Sequence, residues 1–386
     1  MSVFLLILGI VLFIGLILIH EWGHFIAARR GGVEVEEYGI FFPPRLYKKR
    51  MKGGWDFTIN LIPLGGFVKL KGEHDTDTEP GSFGAANIWV KTKIMAAGVF
   101  MNLVTAYIIL VFLALVGMPQ LLDNQFTVAR DTKVTSQSVQ QITVSAVKSG
   151  SPAEKAGLKE DDVISKIGQA DVLTKISETS DVQNTTKKYA GQPVTIVYER
   201  DGKTLTTSTI LNGESSAPSY LGVGIEQYQE GTDLQRSTWS APIVGAGLIG
   251  QFTVVTFQGL GHALAGLGGI IAGAFTGNDT ARQNGQTEAA SQVSGPIGIV
   301  VVLDYVSQLN FQFMLLIIAL ISLTLAIMNL LPIPALDGGR LWITLIARAF
   351  GKPLSPRTEE IVNASGFLLL IGLSIVIAVV DVRRFF

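Results

Sequence analysis

Long apolar runs alternate with polar stretches along this chain of 386 residues. Runs at 3–27, 94–117 and 312–331 each hold about the 20 residues that a helix needs to cross ~30 Å of hydrocarbon. A fourth run, 364–380, is near the lower length limit but has charged residues on both sides. The pattern predicts four transmembrane helices. No basic residue precedes the first run and no small-residue cleavage site follows it, so we expect a retained helix rather than a signal peptide.

A long polar stretch, 125–230, separates the second and third runs and has the composition of a soluble domain. Its segment YERDGKTL predicts a two-stranded hairpin with an Asp-Gly turn. Its segment SPAEKAGLKEDDVI predicts a short helix, a glycine stop and a turn into a strand. This order resembles a PDZ domain, although another small β-rich module would also fit. PDZ domains bind peptide ends by adding a strand to a sheet edge.

Composition favours a membrane protein and narrows its chemistry. Only 16% of the residues are charged, against roughly 25% in soluble domains. The formal net charge of −1 argues against nucleic acid as a partner. There is no cysteine, which excludes disulfides, thiolate zinc sites and cysteine nucleophiles. Any metal must therefore be held by Asp, by Glu or by one of the four histidines, His20, His24, His74 and His262.

The segment HEWGH places His20, Glu21 and His24 at the end of the first apolar run. On a helix the two histidines lie one turn apart on one face, so both can bind one ion. The H-E-x-x-H pattern is typical of zinc hydrolases in which the glutamate is the general base. A chance match is the alternative, but ionisable groups next to hydrocarbon are costly and are by default functional. We therefore predict a hydrolytic zinc site.

A third ligand is required, and Asp337 in the segment MNLLPIPALDGGR is the candidate. Glu34, Glu36 and Glu37 follow the first helix, but the alternation of their segment predicts a strand, which makes them poor candidates. Asp337 comes after two prolines that end the third span. It would also suit the N-cap of the next helix, and capping does not exclude metal binding.

The basic residues predict the orientation of the spans. Loop 29–93 contains eleven Lys and Arg, and more follow the third span, so both loops are expected in the cytoplasm. The N-terminus and 125–230 would then lie outside. Segment 241–275 is apolar but contains nine glycines, and it cannot cross just once if Asp337 is to reach the two histidines. We therefore expect it to be re-entrant, interfacial or a hairpin.

HEWGH, PLGGFVKL, the PDZ-like segment, SGPIGI and NLLPIPALDGGR together resemble the site-2 protease family of intramembrane zinc metalloproteases. The chain looks most like the bacterial branch, the regulator of sigma-E protease type. The resemblance implies one zinc ion per chain, bound by His20, His24 and Asp337, with Glu21 as the base. It also implies that Asn329 contacts the substrate or supports the transition state.

The same resemblance assigns a role to LIPLGGFVKLKGE (61–73), which matches a family loop that re-enters the membrane as a β-hairpin. A helical substrate must be unwound before cleavage, and an edge strand can pair with its backbone. The residues expected to bind substrate in this way are Gly65, Gly66, Phe67, Val68, Lys69 and Leu70. An ordinary cytoplasmic hairpin is the alternative.

Two features depart from the family pattern. Many sigma-E-type members have two tandem PDZ domains, whereas 125–230 has room for one. The second helix reads GVFMN at 98–102, where many members have proline after the glycine. Asn102 in this segment either faces the site or makes a plain helix–helix contact.

The expected fold is a polytopic α-helical membrane protein. It has four transmembrane helices, a membrane-associated β-hairpin loop and one inserted PDZ-like α+β domain. The expected parts are an N-terminal membrane half (1–117), the PDZ-like domain (125–230), a membrane-associated linker region (231–311) and a C-terminal membrane half (312–386).

The expected function is cleavage of single-pass membrane proteins, such as an anti-sigma factor or a remnant signal peptide, after a first cut by a site-1-type protease. The expected location is the lipid bilayer of the inner (plasma) membrane, with the active site near the cytoplasmic side. The alternatives are an inactive PDZ-bearing scaffold and a membrane-anchored peptidase for soluble peptides. A scaffold would not need Glu21.

Overall fold

The computed structural model describes residues 2–73, 77–135, 139–169, 172–200, 203–213, 219–230, 233–280, 283–285, 287, 296–351 and 355–385. The chain forms two compact units. Unit 1 contains Met1–Lys133 and Gln235–Phe386, and unit 2 contains Val134–Leu234.

The helices are α1 (Ser2–Arg30), α2 (Ile88–Val116), α3 (Pro152–Lys155), α4 (Thr179–Lys188), α5 (Ala241–Thr276), α6 (Pro296–Leu309), α7 (Phe311–Leu330), α8 (Asp337–Ala349) and α9 (Pro356–Phe385). The strands are β1 (Val35–Arg50), β2 (Asp56–Leu70), β3 (Met118–Pro119), β4 (Lys133–Thr135), β5 (Val139–Val147), β6 (Val163–Gln169), β7 (Val172–Lys175), β8 (Pro193–Arg200), β9 (Lys203–Ile210), β10 (Val223–Glu230) and β11 (Leu234–Arg236).

Five helices in the described part of the chain are long and apolar enough to cross a membrane: α1, α2, α5, α7 and α9. Four of them coincide with the predicted spans. The fifth, α5, covers the glycine-rich stretch and is one continuous helix of 36 residues, about 54 Å long at 1.5 Å per residue. The expected number of transmembrane helices, four, is therefore not confirmed. The set of long apolar helices is that of a polytopic membrane protein, as expected.

The chain reverses direction after α5. The first turns of α5 pack on the last turns of α2, where Gly245 meets Val111. Beyond α5, Gly285 lies against the backbone of Gly266, so the chain has folded back. Leu303 of α6 then packs against the N-terminal half of α1. This return places the start of α7 beside the start of α1, and α7 runs from there toward the histidines.

The strands β1 and β2 are long and bent, and they fold against each other as four short segments. Segment 35–40 pairs with 66–70, and 37–40 also pairs with 56–59. Segment 45–50 closes a hairpin with 56–60. The strand predicted after the first helix is therefore present. Among the described strands, 66–70 has no partner on its outer side.

Aromatic side chains hold this sheet against the end of α1. Phe25 of α1 lies between Tyr38 of β1 and Trp55, with ring centroids 5.8 and 4.8 Å apart. All three side chains are buried. Aromatic pairs at such separations contribute about 0.5–1.5 kcal/mol each beyond the burial of their area. The sheet is therefore held at the end of α1 that carries HEWGH.

Unit 2 contains an antiparallel sheet in the order β10-β5-β6-β8-β9, with β7 also paired to β6. Ile142 and Ile196 are fully buried in its core. The predicted short helix is α3, capped by the Ser151 hydroxyl and followed by Gly157 at a φ of 77°. Strands β8 and β9 pair as predicted, while their 201–202 turn lies outside the described residues. The likeness to a PDZ domain stays a prediction.

Candidate active site

Helices α1 and α8 bring three potential metal ligands together. The Nε2 atoms of His20 and His24 lie 3.3 Å apart, and Asp337 Oδ2 lies 3.0 and 3.1 Å from them. Two ligands of one tetrahedral zinc ion, each ~2.0–2.1 Å from the metal, are separated by about 3.3 Å. The three atoms therefore have the spacing of one shared zinc site. The described residues contain no second cluster of this kind.

Groups on α2 orient both histidines. His24 Nδ1 lies 2.7 Å from the backbone oxygen of Ile94, so a proton on Nδ1 leaves the Nε2 lone pair for a metal. The Asn102 amide nitrogen lies 3.2 Å from His20 Nδ1, while Asn102 Oδ1 is buried without a hydrogen-bond partner among the described residues. Turning this amide by 180° would let His20 Nδ1–H donate to that oxygen. Both Nε2 atoms would then be free, which fits a bound zinc ion.

The histidine rings fit against α2 because residue 98 is glycine. A Cβ built on Gly98 would lie 2.5 and 2.6 Å from Cε1 and Nε2 of His20, and closer still to His24 Nε2. The Ser322 hydroxyl of α7 donates to the backbone oxygen of Asn102 at 2.8 Å. This bond joins α2 to α7 and helps to fix the position of α2, against which the two histidine rings pack.

A tight turn after α7 places Asp337. Ala335 has a φ of 71°, and α8 begins two residues later. Side chains at Gly338 or Gly339 would overlap the backbone of 330–334, which explains the pair of glycines after the aspartate. The N-cap of α8 is Leu336, and Asp337 lies in the first turn. The predicted capping role for Asp337 is therefore wrong, because the helix begins one residue earlier than that role requires.

Glu21 faces the edge of the β1–β2 sheet. The backbone of Val68 hydrogen-bonds the Glu21 carboxylate. A Cβ on Gly66 would lie 3.2 Å from Glu21 Cγ, so the strand passes directly over this side chain. Burial, and then the nearby Glu21 charge, raise the pKa of Tyr38 to about 12. Its hydroxyl donates to the backbone oxygen of Leu18 at 2.9 Å, which makes Tyr38 a positioning group rather than an acid.

The six predicted loop residues have different surroundings. Gly66 and Val68 are the two that meet Glu21. The other four make contacts within the sheet or its core: Gly65 (φ of 84°) lies next to Phe42, Phe67 stacks on Phe42, Lys69 pairs with Glu36 at 2.7 Å, and Leu70 is buried. This segment therefore contributes mainly its backbone, rather than its side chains, to the site.

Asn329 lies in the last turn of α7 and donates to the backbone oxygen of Leu325 at 3.0 Å. No contact in the described part of the chain joins Asn329 to the three ligand atoms, so its role stays a prediction. Asn102 is the amide that contacts a histidine. Its spacing of one helical turn from Gly98 was the available signal, since both residues then face α1. His74 lies outside the described residues.

Two imidazoles and a carboxylate at zinc spacing, with a glutamate beside them on an apolar helix, define a membrane-associated zinc metallopeptidase. The sequence model of peptidase family M50 matches residues 8–373. The chain therefore belongs to this family, which contains the site-2 proteases.

Curated relatives carry the same assignment. A Nostoc sp. protein named as a zinc metalloprotease is 32% identical over 375 residues, which cover 96% of this chain and 93% of that protein. A similarly named Clostridium perfringens protein is 30% identical over 383 residues, 98% of each chain. The zinc metalloprotease RasP of Oceanobacillus iheyensis is 26% identical over 99% of this chain and 98% of its own length.

Proposed function

We propose that this metallopeptidase is an intramembrane endopeptidase that cleaves single-pass transmembrane proteins. The proposed substrates include anti-sigma factors and remnant signal peptides. The observation that carries the proposal is the position of the sheet edge 66–70. This edge has no partner strand among the described residues and lies against Glu21, the proposed general base. Glu21 is on the helix that also holds two of the potential metal ligands.

A free edge at this place suits a helical substrate. A transmembrane helix satisfies its own backbone hydrogen bonds, so the bond to be cut must first be unwound. The unwound amides then need new partners, because each unpaired one costs several kcal/mol in hydrocarbon. Segment 66–70 has no strand partner on its outer side among the described strands. The backbone N–H groups of Val68 and Leu70 on that side meet the side-chain carboxylates of Glu21 and Glu73, which a substrate backbone can replace. The segment can therefore bind an extended substrate by β-augmentation next to the base.

Each residue of the site would have its own role in the hydrolysis. The two histidines and Asp337 would hold one zinc ion, which when bound polarises the scissile carbonyl and activates water. Glu21 would accept the proton of the attacking water and deliver it to the leaving amine. Ile94 and Asn102 would keep the ligating nitrogens directed at the metal. Asn329 is proposed to contact the substrate or the transition state, as the family resemblance implies.

The proposed location is the inner (plasma) membrane, with the N-terminus and unit 2 outside and the active site near the cytoplasm. The eleven Lys and Arg of 29–93 support this orientation. Unit 2 is proposed to be a PDZ-like domain that binds peptide ends and admits substrates already shortened by a site-1-type protease. Two observations support this role. In chain order, unit 2 contains strand β5, the short helix α3, Gly157 and strand β6, and its antiparallel sheet ends in two outer strands, β9 and β10.

The test uses the full chain in proteoliposomes with two substrates. One is a single-pass protein, and the other is a soluble peptide with the same cleavable segment. Glu21→Gln should lower cleavage of the single-pass protein at least ~10²-fold while zinc stays bound. Glu160→Gln, at an exposed position of unit 2, is the matched control and should cleave like the wild type.

Two results would reject this function. Equal cleavage by the wild type and Glu21→Gln would exclude the mechanism. Faster cleavage of the soluble peptide than of the membrane substrate would favour a peptidase for soluble peptides. Separately, zinc binding by Asp337→Ala with unchanged stoichiometry and affinity would exclude Asp337 as the third ligand.

A further inference from the structure

A groove on the protein surface lies between the last turns of α1 and the first turns of α2. Its cavity volume is about 450 Å³. The floor is formed where the two helices touch: a Cβ on Gly23 would lie 2.6 Å from the backbone oxygen of Ala97. The small side chains at this contact keep the groove open above it. It is separate from the sheet edge that lies over Glu21.

The deep part of the groove is apolar. Ile26, Ala27, Val90, Phe100 and Met101 line it. Phe100 is 62% exposed, although it lies three turns inside an apolar helix. An exposed phenyl ring at that depth faces hydrocarbon, so this end of the groove suits an acyl chain.

The other end of the groove is cationic. Arg30 is the last residue of α1, and Lys93 lies in the second turn of α2. Both side chains are exposed and line the groove, which has no acidic lining residue. Neither makes an ion pair with another described residue, whereas Lys48 and Lys69 of the β1–β2 sheet do. Two unpaired cations at the mouth of an apolar groove match the phosphate of an anionic lipid.

We propose that this groove is a binding site for one anionic phospholipid. The lipid phosphate binds between Arg30 and Lys93, and one acyl chain runs along the groove to Phe100. Lys93 and Phe100 are seven positions apart, which corresponds to about 10 Å of helix. Basic sites between transmembrane helices select lipid headgroups in the same way.

The binding test places the purified full chain in nanodiscs of phosphatidylcholine and adds phosphatidylglycerol with a photoreactive acyl chain. Arg30→Gln/Lys93→Gln should weaken phosphatidylglycerol binding about 25-fold, roughly fivefold for each cation. Lys49→Gln/Lys52→Gln removes the same charge from exposed positions outside the groove and should change binding less than about twofold. Crosslinked peptides should come from the ends of α1 and α2.

A second variant tests the apolar part without changing any charge. Ala27→Phe fills the groove and should also reduce crosslinking, while thermal unfolding shows that each variant is folded. Equal phosphatidylglycerol binding by the two double variants would overturn the proposal. Wild-type protein that binds phosphatidylcholine as tightly as phosphatidylglycerol would also overturn it. Crosslinking of a single-pass peptide in the groove, in place of lipid, would overturn it as well. None of these readouts depends on proteolysis.

Discussion

Gly98→Ala is expected to disable the metal site by steric contact alone. Position 98 is helical, without a positive φ, so alanine suits the backbone and would by itself favour the helix by about 1 kcal/mol. The new methyl group, however, would point between the rings of His20 and His24. Any loss of function in this variant would therefore come from the rings and not from the helix.

The size of the effect follows from the distances. Ordinary contacts of a Cβ are 3.4 Å or longer, whereas the added carbon would start 2.5 Å from His20 Cε1. The rings or α2 must therefore move by about 0.9 Å, the difference between these two distances. Zinc–ligand distances tolerate only about ±0.2 Å. We expect zinc affinity to fall at least ~10- to 100-fold and cleavage to fall ~10²-fold even when zinc is saturating.

The assay is a zinc titration against a competing chelator, followed by cleavage of the single-pass substrate in excess zinc. Gly15→Ala is the matched control, because it lies on α1 with the histidines and its added Cβ would meet nothing within 4 Å. It should bind zinc and cleave like the wild type. Wild-type zinc affinity in Gly98→Ala would refute the packing of the rings against α2.

Asn102→Ala should lower zinc affinity roughly 10- to 100-fold, as loss of a group behind a ligating histidine does; an unchanged chelator titration would show that the amide does not support the site. In unit 2, Arg200 pairs at 2.6 Å with Asp162, which is fully buried. Arg200→Ala should therefore destabilise unit 2 by ~3–5 kcal/mol in hydrogen exchange, whereas Lys203→Ala at an exposed site should cost less than ~0.5 kcal/mol. Burial raises the pKa of Asp131, but hydrogen bonds from residues just before α5 outweigh it and hold this pKa below its usual value. Its stabilisation should be complete above about pH 4 and be lost at lower pH; thermal unfolding of Asp131→Asn should lack this loss, and an identical pH profile would contradict it.

Hydropathy located the spans but not the ends of their helices. A helix must be apolar over about 20 residues to cross hydrocarbon, so the run from 94 onward was recognisable. The helix α2 nevertheless begins at Ile88, because Asn87 caps it by accepting a hydrogen bond from the Val90 backbone N–H at 3.0 Å. Its first turns include Lys91 and Lys93, which hydropathy does not count as part of a span.

The role of α5 could not be deduced from its composition. Two of the glycines, which argued against an ordinary span, let other segments of the protein approach closely: side chains at Gly245 and Gly247 would collide with Val111 and Phe126. Such contacts involve residues more than 100 positions away in the sequence. A Cβ at Gly250, Gly261 or Gly268 would meet nothing within 4 Å. No local pattern distinguishes a glycine that breaks a helix from one that lets a helix pack.

The sequence by itself determined the chemistry of the site, since a helix with two histidines four residues apart places both on one face whatever surrounds it. It also nominated Asp337, by its motif and by the number of membrane crossings that would bring it to the same side as the histidines. Only the tertiary structure decided that Asp337 reaches the histidines, because that contact joins positions 317 apart. The same holds for the Asn102 amide behind His20 and for the sheet edge over Glu21. Distances of a few tenths of an ångström decide these contacts, and they follow from how the helices and strands pack, which local residue patterns do not encode.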